Sequence, residues 1–100
     1  MHIVLIDLYS NTVESTAKEL QALAPSRKII PVACDVTDEA DLEDVLRTLD
    51  IDHAGISIGA VFANAGVIFN NTIMNSSIED WETTLNVNVM GVVKTIKTFL

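Results

Sequence analysis

Short apolar runs alternate with helix-patterned segments along the whole chain, and this alternation constrains the fold most. The runs His2–Asp7, Lys28–Cys34 and Ile56–Ala63 are almost continuously apolar, as is typical of strands covered on both faces of a parallel sheet. The segments after each run repeat apolar residues at helical spacing. The resulting order βαβαβα predicts an α/β fold with a doubly wound parallel sheet in three layers.

Three helices follow from this periodicity. Their predicted N-caps are Asn11, Thr37 and Ser76, each a residue type that accepts a hydrogen bond from a free backbone N–H of the first turn. The last helix is predicted to run from Asp80 to beyond Leu100. One stripe of this helix is apolar, which predicts that it is buried; it contains Leu85, Val89, Val92, Val93, Ile96, Phe99 and Leu100.

Composition restricts the classes of partner. The net charge is −8, whereas nucleic-acid binding needs a basic face, so we expect no nucleic-acid partner. No apolar run approaches the roughly 20 residues that span a bilayer, and the N-terminus lacks the basic region of a secretory signal. We therefore expect no membrane association and a cytoplasmic location. Cys34 is the only cysteine and shares no ligand spacing with a histidine, so we expect no metal site.

Polar residues stand at the carboxyl end of each predicted strand, where open parallel sheets bind ligands. They are Asp7, the segment Cys34–Val36, and the triplet Asn64–Gly66. A strand-end aspartate can accept both ribose hydroxyls of NAD and would repel the 2′-phosphate of NADP, although many such aspartates are only turn residues. Gly66 would allow a close backbone approach, and the triplet could equally be a simple loop.

Asn88 is the fourth candidate, at the margin of the apolar stripe and three residues before Gly91. Asparagine is a mediocre helix former, so its presence beside a buried seam requires a hydrogen-bond partner. That partner could be structural, as in a contact between packed elements, or part of a functional site.

Taken in this order and at these separations, four stretches resemble the short-chain dehydrogenase/reductase family. They are Ile3–Asp7, Cys34–Asp38, Ala63–Gly66 and Asp80–Gly91, and the resemblance covers essentially the whole chain. It implies a Rossmann-like nucleotide-binding domain. It also implies an oxidoreductase that transfers hydride between a nicotinamide and a small alcohol or carbonyl substrate. The full-length protein would be a homo-oligomer, either a dimer or a tetramer.

The resemblance also assigns roles to seven residues of the matched motifs. Asn88 would help to anchor a water chain that leads to the catalytic lysine of the family. The other six would contact the cofactor, expected to be NAD with NADP less favoured: Asp7 at the adenosine ribose, Asp35 and Val36 beside the adenine, and Asn64, Ala65 and Gly66 along the dinucleotide cleft.

Two motifs of the family are missing from these residues. None of the four glycines forms the G-x-G-x-x-G turn that cradles a pyrophosphate, and the only tyrosine, Tyr9, is followed four residues later by Val13 rather than by lysine. We therefore interpret residues 1–100 as one partial NAD(P)-binding domain that lacks the first βα unit and the catalytic strand and helix, and that is inactive alone. The alternative is a non-catalytic dinucleotide-binding or interaction module.

The missing first strand has a physical consequence for the predicted sheet. In the strand order of the family it lies between the first and third strands of this chain. These residues alone would therefore leave two strand edges unpaired, and we expect them to be marginally stable unless the edges pair directly. A complete receiver-type domain is disfavoured, because such a domain needs clustered acids after its first strand and a lysine after its last.

Overall fold

Two parallel strands joined by a helix make up residues 1–35 in the computed structural model, which describes all residues from 1 to 100. Strand β1 (Ile3–Asp7) pairs with β2 (Ile29–Ala33) in a register that matches Ile3 with Ile29 and Asp7 with Ala33. Helix α1 (Ser10–Leu23) provides the connection. The parallel pairing confirms the predicted α/β class, and both strands lie within the predicted runs.

Helix α1 buries Val13 and Ala17, which are four residues apart on one face. The helix begins at Ser10 after Tyr9, whose side chain makes no cap hydrogen bond. The predicted cap Asn11 is therefore wrong, because it lies inside the first turn, where its Oδ1 accepts from the Thr12 N–H at 2.9 Å. The helix ends just before Pro25, as expected for a residue that cannot extend a helical hydrogen-bond ladder.

Residues 36–100 form a second compact unit that is entirely helix and loop. Helix α2 (Glu39–Asp52) buries Leu42 and Val45. Its N-cap is Asp38, whose carboxylate accepts from the Ala40 and Asp41 N–H groups, so the prediction of Thr37 was wrong by one residue. A carboxylate at this position also interacts favourably with the positive end of the helix dipole.

The last helical stretch has three parts, which are α3 (Ile78–Leu85), a π-helical segment (Asn86–Gly91) and α4 (Val92–Phe99). Its N-cap is Ser77, which forms a capping box with Asp80, so the prediction of Ser76 was wrong by one residue. The π-helical segment was not predicted. Such segments insert an extra residue into a helix and are often found at functional sites.

The predicted third strand is wrong, since residues 56–63 form neither strand nor helix. A strand exists only where a neighbour completes its backbone hydrogen bonds. The two strands of the structure pair only with each other. Phe62, within the segment, is 78% exposed.

The apolar stripe of the last helix is largely exposed, contrary to the prediction. Leu85 is 55% and Leu100 84% exposed, whereas the buried residues of this helix are Gly91 and Thr95. The helix therefore packs within residues 36–100 through the face that carries Gly91 and Thr95. Because these residues are small, the helix can approach the loop around Val36 closely. No helix in the structure combines the length and the apolar character that a membrane span requires.

Gly91 provides a test of this close packing. We expect Gly91→Ala to destabilise the protein by about 1–3 kcal/mol through overpacking. The added Cβ would lie 2.9 Å from Cγ2 of Val36, and this clash outweighs the gain of about 0.5–1 kcal/mol that alanine usually brings to a helix. Urea unfolding followed by circular dichroism measures the change in the free energy of unfolding.

Two further variants show whether the clash is the cause. Gly59→Ala is the matched control, because a Cβ there meets nothing within 4 Å. In a Val36→Ala background the clashing methyl group is gone, so Gly91→Ala should cost much less than in the wild type. An equal cost in the two backgrounds would show that Val36 does not limit the space at Gly91.

Candidate functional site

The carboxyl ends of β1 and β2 lie side by side and bring two acidic residues to one edge of the sheet. The pairing continues past the strands, since the N–H of Cys34 donates to the carbonyl oxygen of Asp7 at 2.9 Å. Asp35 follows directly and is half-buried, whereas Asp7 is exposed. This edge is where ligands of open parallel sheets bind.

The carboxylate of Asp7 is oriented by its own backbone. Its Oδ1 accepts a hydrogen bond from the N–H of Leu8 at 2.6 Å. Because a carboxylate offers about four acceptor positions, this bond leaves acceptor capacity for a ligand.

Asn88 pairs with the backbone of Val67 in both directions. Its Oδ1 accepts from the Val67 N–H at 2.8 Å, and its Nδ2 donates to the Val67 carbonyl oxygen at 2.8 Å. The structure thereby identifies the partner that the sequence required but did not specify. Asn88 lies in the π-helical segment, and it holds the loop immediately after the triplet Asn64–Gly66.

The absence of a side chain at Gly66 allows this approach. A Cβ at Gly66 would lie 3.3 Å from Oδ1 of Asn88, a contact tighter than most side chains show. The three residues of the triplet are exposed, and the Asn64 N–H donates to the Phe62 carbonyl oxygen at 2.9 Å. The triplet is therefore a tight, accessible loop fixed from one side by Asn88.

The same helical stretch also holds the segment that follows β2. Val36 packs against Gly91, and the ammonium group of Lys94 donates to the Thr37 carbonyl oxygen at 2.7 Å. The Thr95 hydroxyl donates to the Gly91 carbonyl oxygen at 2.7 Å. Within residues 36–100, one helix thus fixes two loops, one carrying Val36 and the other carrying Asn64–Gly66.

Sequence reasoning missed Val67 and Lys94. Val67 contributes only backbone atoms, so its side chain carries no signal. Lys94 follows Gly91 by three residues and therefore shares its helical face, which is a signal that could have placed it beside the Val36 loop.

The four matching stretches are strand β1, the segment after β2, the loop Ala63–Gly66 and the helical stretch that holds this loop. A family comparison agrees with them. A family model of short chain dehydrogenases matches residues 1–100. The chain belongs to this family. The predicted family and the Rossmann-like α/β class are thereby confirmed.

Known dehydrogenases and reductases match most of this chain. Dehydrogenase/reductase SDR family member 6 from Xenopus laevis is 33% identical over 87 residues, which are 87% of this chain and 32% of that protein. An alcohol dehydrogenase from Thermococcus sibiricus, solved with 5-hydroxy-NADP, superposes with a TM-score of 0.83 at 23% identity over 98% of this chain and 40% of that one. An NAD+-bound xylitol dehydrogenase gives 0.79 at 21% identity, over 98% and 36%.

These proportions show that the chain spans about a third of the length of its relatives. The family is one of dehydrogenases, which are oxidoreductases. It also implies a nicotinamide dinucleotide as the cofactor, and the two solved neighbours hold one such molecule or derivative each.

The pairing of Asn88 with Val67 can be tested by removing the amide. We expect Asn88→Ala to lower the free energy of unfolding by about 0.5–1.5 kcal/mol, because the exposed Val67 backbone groups exchange this partner for water. Amide hydrogen exchange measured by NMR should show faster exchange at the Val67 N–H. Asn86→Ala is the matched control, since Asn86 is exposed in the same π-helical segment. Unchanged exchange at Val67 in Asn88→Ala would contradict the assignment.

Proposed function

We propose that residues 1–100 form the adenosine side of the NAD-binding domain of an oxidoreductase that acts on a small alcohol or carbonyl substrate. The observation that carries this proposal is the Asp7 carboxylate, which is exposed at the shared carboxyl edge of two parallel strands and retains free acceptor capacity. Strand β1 sets its place, and the Leu8 N–H sets its orientation.

Asp7 is proposed to accept hydrogen bonds from the two hydroxyls of the adenosine ribose. Hydrogen bonds to a charged acceptor are stronger than those between neutral groups. The same negative charge would repel a 2′-phosphate, which favours NAD over NADP. The net charge of −8 on the chain acts in the same direction.

The remaining residues are proposed to shape the site. Asp35 and Val36 flank the adenine ring at the end of β2, and Asn64, Ala65 and Gly66 line the dinucleotide cleft. Asn88 holds that cleft in place through the Val67 backbone, with both bonds at 2.8 Å. By resemblance to the family, Asn88 also helps to anchor a water chain that leads to a catalytic lysine.

The cofactor, when bound, supplies the hydride exchange with the substrate, and the protein supplies binding and orientation. These residues contain neither a glycine-rich pyrophosphate turn nor a Tyr-x-x-x-Lys motif, so we expect turnover only from the whole protein. We propose that residues 1–100 form one partial nucleotide-binding domain and that the whole protein is a cytoplasmic homo-oligomer.

A second candidate is a non-catalytic dinucleotide-binding or interaction module. The exposed apolar stripe on the last helical stretch favours it, because Leu85 is 55% and Val89 50% exposed. Contiguous exposed apolar surface commonly marks an interface. The two candidates differ in whether the whole protein, once it has bound a dinucleotide, oxidises or reduces any substrate.

The cofactor assignment is tested by Asp7→Asn in the whole protein. This change keeps an acceptor for the Leu8 N–H and removes the charge, so we expect NAD to bind about 10- to 100-fold more weakly. NADP binding should weaken less or improve, because the repulsion of its phosphate is lost. Titration calorimetry with both cofactors measures the two dissociation constants.

Asp50→Asn is the matched control, since Asp50 is an exposed aspartate near the end of α2 to which no cofactor contact is assigned. It should leave both dissociation constants unchanged. An unchanged ratio of NAD to NADP affinity in Asp7→Asn would refute the role of Asp7. Cofactor binding without turnover of any alcohol or carbonyl compound would favour the second candidate.

A further inference from the structure

We propose that Lys94 is a positioning residue for the adenine end of the cofactor, acting through the loop Val36–Thr37. This inference rests on the proposed function, which places the adenine beside Asp35 and Val36. Lys94 itself is not assigned any contact with the cofactor. Its effect is to fix the backbone that forms one wall of the adenine subsite.

The first supporting contact is the hydrogen bond from the Lys94 ammonium to the Thr37 carbonyl oxygen, at 2.7 Å across 57 residues of sequence. A lysine on a surface helix normally keeps its ammonium group in water. Here the residue is half-buried, and its long side chain is held in one place by a backbone acceptor. Such a charge-assisted bond is strong enough to select one loop conformation.

The second contact lies one turn earlier on the same helical face. Gly91 packs against Val36 so closely that a Cβ would come within 2.9 Å of its Cγ2. Two consecutive loop residues are therefore held by two helix residues, Val36 by shape and Thr37 by a hydrogen bond. On the same face, the buried Thr95 hydroxyl donates a hydrogen bond to the Gly91 carbonyl oxygen.

The loop Val36–Thr37 has no helical or strand ladder of its own. It lies between the end of β2 at Ala33 and the start of α2 at Glu39, and it belongs to neither element. Ordering a binding loop before the ligand arrives removes part of the entropic cost of binding. Lys94 supplies that order from a helix that also fixes the cleft loop through Asn88.

The test uses Lys94→Met in the whole protein, which keeps the aliphatic stem and removes the donor. The ligand is AMP, because it carries the adenine and its ribose without the nicotinamide. We expect titration calorimetry to show AMP binding about 10-fold more weakly, as would follow if the binding-competent loop fell to about a tenth of the molecules. Lys94→Arg, which keeps a charged donor, should recover most of the affinity.

Lys97→Met is the matched control, because Lys97 is exposed on the same helix, and it should bind AMP as the wild type does. A merely structural role for Lys94 would lower the calorimetric stoichiometry of Lys94→Met through unfolding and leave the dissociation constant of AMP unchanged. That result would overturn the inference.

Two further outcomes complete the test. If Lys94→Met does not fold, Lys94→Gln replaces it, since a shorter neutral amide breaks the same bond. An AMP dissociation constant in Lys94→Gln equal to that of the wild type overturns the inference, and a several-fold weaker one supports it. Failure of the wild-type protein to bind AMP and NAD would refute the proposed function and this inference together. Failure of this inference alone would look different, because the wild-type protein would bind AMP and the Lys94 variants would bind it equally well.

Discussion

The two hydrogen bonds between the Asn88 amide and the Val67 backbone tie the loop after Gly66 to the last helical stretch of residues 36–100. A side-chain amide matches both polar groups of a peptide unit, so one residue fixes the loop after Gly66 without a strand or helix in that loop. The π-helical segment that carries Asn88 continues into Gly91 and Lys94, which hold the loop around Val36. One helical stretch therefore sets the position of two loops that the family resemblance assigns to a dinucleotide.

In residues 1–35 the corresponding constraint is the parallel pairing of β1 and β2. Parallel strands end at the same edge of their sheet, and the hydrogen bond from the Cys34 N–H to the Asp7 carbonyl oxygen carries the pairing beyond the last strand residues. The place of the two acids at that edge thus follows from topology. Asp7 is exposed there, which suits a residue that binds a ligand better than one that stabilises a fold.

The sequence predicted those features of the fold that depend on the local pattern of apolar and polar residues. The apolar runs at β1 and β2, the buried face of α1 and the family motifs could all be read from the chain. The third predicted strand does not form, because residues 56–63 are apolar but a strand also needs a neighbour. The π-helical segment was not predicted because the apolar spacing around Asn88 also fits an ordinary α-helix. The stripe from Leu85 to Leu100 was predicted to be buried, but residues 36–100 contain no core that covers it. The contact of Lys94 with Thr37 spans 57 residues of sequence. The spacing from Gly91 indicates the helical face of Lys94 but does not name Thr37 as its partner.

The most direct test of a cofactor site at these strand ends is a crystal structure of the whole protein with NAD+ bound. We predict that both hydroxyls of the adenosine ribose lie within hydrogen-bond distance of the Asp7 carboxylate, that the adenine lies against Val36, and that the Asn88 amide keeps both bonds to Val67. An adenosine bound elsewhere, or a ribose that Asp7 does not contact, would contradict the proposed role of this part of the chain.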